Sequence, residues 1–171
     1  RILLVSPGNL FLERGLNIAP DIRVDECSMA QFAKAGKSGR GYALVVFDGA
    51  LPKAPLPAGN YLIFHAVNAQ TPLVSLSGSV AAPKYVDADM AHPVMRFVNL
   101  DGVQVRSALH VAARQSASVL ADSSDGPWIA ASESGGHRMV DVAFDLADSD
   151  WPLRVSFPIF LSNAIDWLSM G

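Results

Sequence analysis

The chain reads as an α/β domain with a mostly parallel sheet and a β-rich, antiparallel flank in its second half. Three observations predict this. Ile2 to Val5 (ILLV), Tyr42 to Phe47 (YALVVF) and Asn60 to Phe64 (NYLIF) are near-continuous apolar runs, as expected of strands covered on both faces. Segments of helical periodicity alternate with these runs, the pattern of β-α-β units. The segment 144–170 closes on an amphipathic helix, in which Phe157, Phe160, Leu161, Ala164, Ile165 and Leu168 recur with helical spacing.

Taken in order, the Ile2 to Val5 strand is broken by Ser6-Pro7-Gly8-Asn9. Leu10 to Ile18 has helical spacing and is stopped by Pro20. Ile22 to Val24 alternates as a short strand. Ser28 is placed to cap a helix from Met29 to Ala35, which gives way to the glycine-rich segment 36–41. Asp48-Gly49 ends the strongest strand, and Pro52, Pro55 and Pro57 exclude helix or central strand before the next. Right-handed crossovers between parallel strands place the helices on both faces. Further on, strands are expected at Leu73 to Leu76, Val103 to Val105, Ser118 to Leu120, Trp128 to Ala131 and Met139 to Phe144, with a short helix from Ala91 to Val98. Ser123-Ser124-Asp125-Gly126 and Glu133-Ser134-Gly135-Gly136 supply turn chemistry. Ser156 before Pro158 reads as the cap of the closing helix.

The 171 residues fit one domain, 1–171, and half of them are apolar, enough for a sizeable core. The 17% charged residues, the net charge of −3 and the scattered Lys and Arg do not suggest a nucleic-acid surface, and no nucleic-acid partner is expected. A single cysteine, Cys27, excludes an internal disulfide and a cysteine metal site. No apolar run approaches the ~18 residues of a membrane span. The chain begins directly on a buried-type strand, without initiator Met or leader, and so reads as a piece of a longer protein.

Four stretches resemble a known family when read together: RILLVSPGNLFLERGL, YALVVFDGALPKAPLPAGNYLIF, HPVMRFVNLDGVQV and VAFDLADSDWPLRVSFPIFLSNAIDWL. In this order they are similar to the class I glutamine amidotransferase-like domain that accompanies a von Willebrand factor A domain in bacterial membrane proteins of the BatA type. The resemblance implies a flavodoxin-like three-layer sandwich. It also implies a parent protein of the cell membrane, whose membrane helices lie outside this segment. A working amidotransferase of that class needs a cysteine on a tight strand-to-helix elbow and a downstream His-x-Glu pair to activate it. After Asn60 to Phe64 this chain has His65-Ala66-Val67-Asn68-Ala69, with neither cysteine nor glycine, and no His-x-Glu occurs anywhere. Cys27 follows two carboxylates, which disfavour a thiolate.

Other chemistry is sparse. Asp48 and His65 stand at the carboxyl ends of adjacent strands, where open α/β sheets bind ligands. With Asn9 in the first strand-to-helix loop they are the candidate ligand-binding residues. Asp48 equally suits a plain turn, its carboxylate bonding a backbone amide. No Ser or Cys is placed for Asp48 and His65 to activate. His92, before Pro93, suits a helix start. His110 and His137 read as surface positions, and the four histidines share no metal-type spacing. Asp145, Asp148 and Asp150 lack the glycine and closing glutamate of a calcium loop. The loop Ser6 to Asn9 has one glycine and no lysine, unlike a phosphate loop. No cofactor is expected.

The leading functional expectation is a non-catalytic amidotransferase-like module that serves assembly. Its partners would be other domains of the parent chain, the von Willebrand A domain among them, or other subunits. The alternative is a small-ligand-binding module that uses the cleft at the carboxyl ends of the strands. A divergent hydrolase comes third.

Overall fold

The computed structural model describes residues 1–34 and 39–170. Its order is β1 (Ile2–Val5), α1 (Leu10–Leu16), β2 (Val24–Cys27), α2 (Met29–Lys34), β3 (Leu44–Asp48), β4 (Tyr61–Phe64), β5 (Leu73–Ala81), β6 (Tyr85–Ala88), β7 (Ser107–Ala113), β8 (Ser118–Ser123), β9 (Gly126–Ser134), β10 (His137–Val142) and α3 (Ser156–Ser169), with short 3-10 turns between. The expected end of α2 at Ala35 and most of the glycine-rich segment lie outside the described residues.

One eight-stranded sheet has the order β2-β1-β3-β4-β10-β9-β8-β6. Its first five strands are parallel, and β9, β8 and β6 continue it antiparallel. The mixed α/β sheet, with a parallel half and an antiparallel flank, is therefore as the sequence predicts. β10 is the seam, since it runs parallel to β4 and antiparallel to β9. Among the described strands, only β1, β3 and β4 are buried along their whole length. These are the strands whose apolar runs are near-continuous, because a strand covered on both faces has no solvent side to mark with polar residues.

The two faces carry different layers. On one, Leu12 and Leu16 of α1 and the stripe of α3 pack on Ile2, Leu4, Leu44, Val46, Leu62, Phe64, Val140 and Val142. On the other, Phe32 of α2 and Leu56 of the proline-rich loop pack on Leu3, Val5, Val45, Phe47 and Ile63. The β5–β7 pair forms a separate two-stranded sheet, and Leu73 and Val111 pack on Ala130 and Ala143. α1 and α3 approach closely at Gly15, where an added Cβ would lie 2.5 Å from Leu161 Cδ1. Leu161 is itself buried and has little room to swing away. Gly15→Ala is expected to lower stability by about 1–2 kcal/mol in urea unfolding, because overpacking exceeds the gain in helix propensity.

Several boundaries differ from the sequence expectation. α1 stops at Leu16, where Asn17 closes the helix through its amide to Arg14 O. The second strand is Val24–Cys27 rather than Ile22 to Val24, in register with β1 from Ile2↔Val24. Val103 to Val105 is not a strand. Val105 makes an isolated bridge to Ser149, and Gln104 N donates to Asp150 Oδ1. The helix expected from Ala91 to Val98 shrinks to the 3-10 turn Pro93–Met95, with His92 at its cap as predicted. β6 and β7 were not expected, and β5 runs five residues beyond Leu76. Ser156 does not cap α3. Val155 before it is already helical, and the Ser156 hydroxyl instead accepts from Trp151 Nε1 at 3.0 Å.

Candidate functional site

The parallel order brings the carboxyl ends of β1, β3, β4 and β10 side by side. Ser6 follows β1, Asp48 ends β3, His65 follows β4 and Asp145 lies three residues beyond β10. The β3–β4 register pairs Asp48 with Phe64, and Gly49 N donates to Phe64 O, so His65 emerges next to the Asp48 turn. The sequence candidates Asn9, Asp48 and His65 are thus at one edge of the sheet. Ser6 and Asp145 join them. Ser6 belongs to the Ser6 to Asn9 loop, which the sequence expects to line this cleft with Asp48 and His65, whereas the sequence puts Asp145 only among the acids before the last helix.

The polar groups largely satisfy one another. Asp48 is buried, at 9% exposure. The Ser6 hydroxyl donates to Asp48 Oδ2 at 2.7 Å. The nearby Asn9 side chain also favours the charged form of that carboxylate. Gly8 N donates to Ser6 Oγ at 3.0 Å, and Leu12 N donates to Asn9 Oδ1 at 3.2 Å. One small network therefore fastens the β1–α1 loop to the end of β3. Burial raises the Asp48 pKa and Asp145 adds to the rise, while Ser6, Asn9 and the nearby His65 pull it back. Asp48→Ala would leave the buried Ser6 hydroxyl without its acceptor. It is expected to cost about 1–3 kcal/mol in chemical unfolding.

Two further carboxyls lie at this edge. Glu26, the penultimate residue of β2, is raised by burial first, then by a hydrogen bond to Glu13 of α1 and by the charges of Glu13 and Asp48. No group of His, Cys, Asp or Glu suited to holding a metal occurs among the described residues. The acids before α3 are committed elsewhere. Asp145 caps the following turn by accepting from Ala147 N at 2.9 Å. Asp150 takes Arg154 through both oxygens, at 3.2 and 2.9 Å, which lowers its pKa. Asp148 lies 3.7 Å from Arg106.

His65 has φ +57, a left-handed backbone that a non-glycine residue adopts only under local constraint. Its amide donates to Val142 O at 2.8 Å, which anchors the turn after β4 to the end of β10. Strain thus sits at the elbow after β4, but the residue bearing it is an imidazole. Cys27, the only thiol of the chain, is buried at the end of β2 and separated from β4 by β1 and β3. Among the other histidines, His92 Nδ1 accepts from Val94 N at 3.1 Å and its ring meets Trp167 at 4.9 Å, whereas His137 is exposed on β10. Trp167 also carries the Arg138 guanidinium over its ring, so it closes the gap between α3 and β10.

No family profile matches the chain, and no curated protein sequence matches it significantly. Solved structures do share its fold. Two cytoplasmic proteins of Salmonella typhimurium, one of them from strain LT2, superpose with TM-scores of 0.75 each at 13% and 12% identity. Each match covers 98% of this chain and 98% of the other. A protein of Parabacteroides merdae described as ThuA-like gives a TM-score of 0.63 at 13% identity, over 99% of this chain and 89% of its own. At such identities the likeness concerns the fold alone. Among the described residues, no helix is long and apolar enough to cross a membrane.

Proposed function

We propose that this chain is a non-catalytic module of flavodoxin-like, amidotransferase-like architecture that serves protein assembly. The parent in this reading is a bacterial membrane protein that also carries a von Willebrand A domain, and the partners are other domains or subunits of that assembly. The carrying observation is the elbow after β4. Its backbone keeps a strained left-handed turn, yet the residue there is His65, and the thiol of Cys27 is buried at the end of β2. A thiol-based transfer needs the nucleophile on that turn and a base within hydrogen-bond reach. The remaining polar groups at this edge bond one another and fasten a loop. The sequence stretches that resemble the BatA-type domain support the parentage.

The reading is tested by incubating the purified chain with glutamine and measuring ammonia. No release above the uncatalysed background is expected. Release that disappears in Cys27→Ala would overturn the proposal.

A second reading, a small-ligand site at the same edge, is favoured by Asp48. Its carboxyl is desolvated, with His65 and Asp145 within electrostatic range. A thermal-shift screen with small anions and sugars distinguishes it. A rise in unfolding temperature that is lost in Asp48→Asn would support the ligand reading.

A further inference from the structure

Large apolar side chains are left uncovered on the α1–α3 side of the molecule. Ile18, beyond the end of α1, is 69% exposed, Val155 before α3 is 77% exposed, and Phe97 is 80% exposed. A groove of about 420 Å³ between the end of α1 and the outer face of α3 is lined by Ile18, Ile22, Pro158 and Ile159, with Asp21 and Asp166 among its polar walls. A smaller one of about 260 Å³ is lined by Phe97, Val155 and Ile159. Ile159 belongs to both, so the two form one apolar strip along the first turns of α3.

Phe97 is the most telling residue of the strip. Its φ is +63, a region that a bulky aromatic enters only when its surroundings force it. They do so here through α3, where Asn163 Nδ2 donates to Val94 O at 3.1 Å and to Arg96 O at 2.8 Å, bracketing the loop. Val98 N also donates to Met95 O at 3.0 Å. The chain thus maintains a strained backbone to hold an aromatic ring out in water, where it gains nothing from burial. Strain of this kind gathers at recognition sites, and exposed aromatics anchor interfaces.

The charge lining the larger groove is one-sided. Asp21 and Asp166 are exposed; among the described residues neither is in an ion pair, and no Lys or Arg lines the larger groove. In the smaller groove Arg154 is matched by Asp150, and Asp101 is exposed. Arg96 adjoins Phe97 and is the basic counterweight at that end.

We infer that this strip docks a protein segment that presents aliphatic side chains flanked by Lys or Arg. The aliphatic side chains fill the groove beside Ile18 and Ile159 and meet Phe97, and the basic flanks pair with Asp21 and Asp166. This rests on the assembly reading and names the kind of partner that reading requires.

Two synthetic amphipathic helical peptides test it. They share one leucine stripe and carry either Lys or Glu on its flanks, and binding is followed by fluorescence anisotropy at low and raised salt. The Lys peptide is expected to bind on the order of tenfold more tightly than the Glu peptide, with a preference that weakens in salt. Asp21→Asn with Asp166→Asn should bring the two peptides to within about twofold of each other. Ile18→Ser and Phe97→Gly should each abolish binding. Phe97→Gly should also raise the unfolding temperature by about 2–4 °C, because glycine relieves the positive φ; that rise separates loss of a contact from loss of fold.

Equal binding of both peptides, binding indifferent to these substitutions, or no binding by the parent chain would overturn the inference. So would concentration-dependent dimerisation abolished by Phe97→Gly, which would assign the strip to a second copy. None of these outcomes touches the non-catalytic reading, which falls only on ammonia release.

Discussion

Asp141→Asn is expected to remove a large part of the pH dependence of this protein's stability and to make it more stable at neutral pH. Asp141 is the penultimate residue of β10, between Ile63 of β4 and Ala130 of β9. Val140 and Val142 on either side point into the α1–α3 core, so alternation turns Asp141 to the opposite face. It is completely buried, and neither carboxylate oxygen has a hydrogen-bond partner. An ion in that position costs far more than a neutral acid, so burial pushes its pKa well above the usual carboxylate range.

The sign of the effect follows. A carboxyl with a raised folded pKa binds its proton more tightly in the native than in the unfolded state. Its contribution is fully present below the unfolded pKa of about 3.9. It is lost as pH rises from there toward the folded pKa, at a slope approaching 1.4 kcal/mol per pH unit. Urea unfolding of the parent chain and of Asp141→Asn at pH 4, 5, 6 and 7 checks this. The two should be close at pH 4 and diverge upward, with the variant more stable. Parallel pH profiles would show that Asp141 titrates alike in both states.

Trp151→Ala should be the most damaging single substitution on the other face, costing about 3–5 kcal/mol. The indole is fully buried. It meets Phe144, Phe157 and Phe160 at ring-centroid distances of 5.9, 5.3 and 4.8 Å, and its Nε1–H donates to Ser156. It therefore ties the end of the β10 segment to the first turns of α3. Trp151→Phe keeps most of the apolar area but strands the Ser156 hydroxyl, and about 1–2 kcal/mol is expected. Chemical unfolding with an unchanged denaturant slope distinguishes lost packing from a changed end state.

These two positions show how far the residues could be read in one dimension. Trp151 lies in a loop-like stretch, Asp148 to Arg154, whose sequence suggests an acidic, solvated segment. Only the fold reveals that the loop drives an aromatic ring into the core. Asp141 was lost in the opposite way. Inside MVDVAF it obeys period-two alternation, which places a polar residue on a solvent face. Here that face is roofed by the layer containing the β5–β7 pair. The start of β5 is legible at Leu73 to Leu76, but its extension to Ala81 is not, because Ser77, Gly78 and Ser79 dilute the apolar pattern, and β7 was not expected at all. Their partners also lie more than twenty residues away, so the pairing depends on contacts that no local window contains.

The candidate site was legible to the extent that it depends on strand ends. Asp48 and His65 were found because Asp-Gly and the end of an apolar run mark where a buried strand stops. That Ser6 donates to Asp48 could not be read, since Ser6 and Asp48 are joined only by the β1–β3 register. The strain at His65 and Phe97 leaves no trace in residue type either. Glycine or asparagine would signal a left-handed turn, and here tertiary hydrogen bonds impose it on other residues.

Taken by itself, the sequence determined the layered α/β class, the strands β1, β3 and β4, and the closing helix α3. Each of these follows from local periodicity and from apolar area that must be buried whatever its neighbours are. The tertiary structure alone decided which strand lies beside which, that β10 joins a parallel to an antiparallel half, and that Asp141 is dry while Phe97 is wet. Those outcomes depend on residues far apart in the chain competing to cover the same surface.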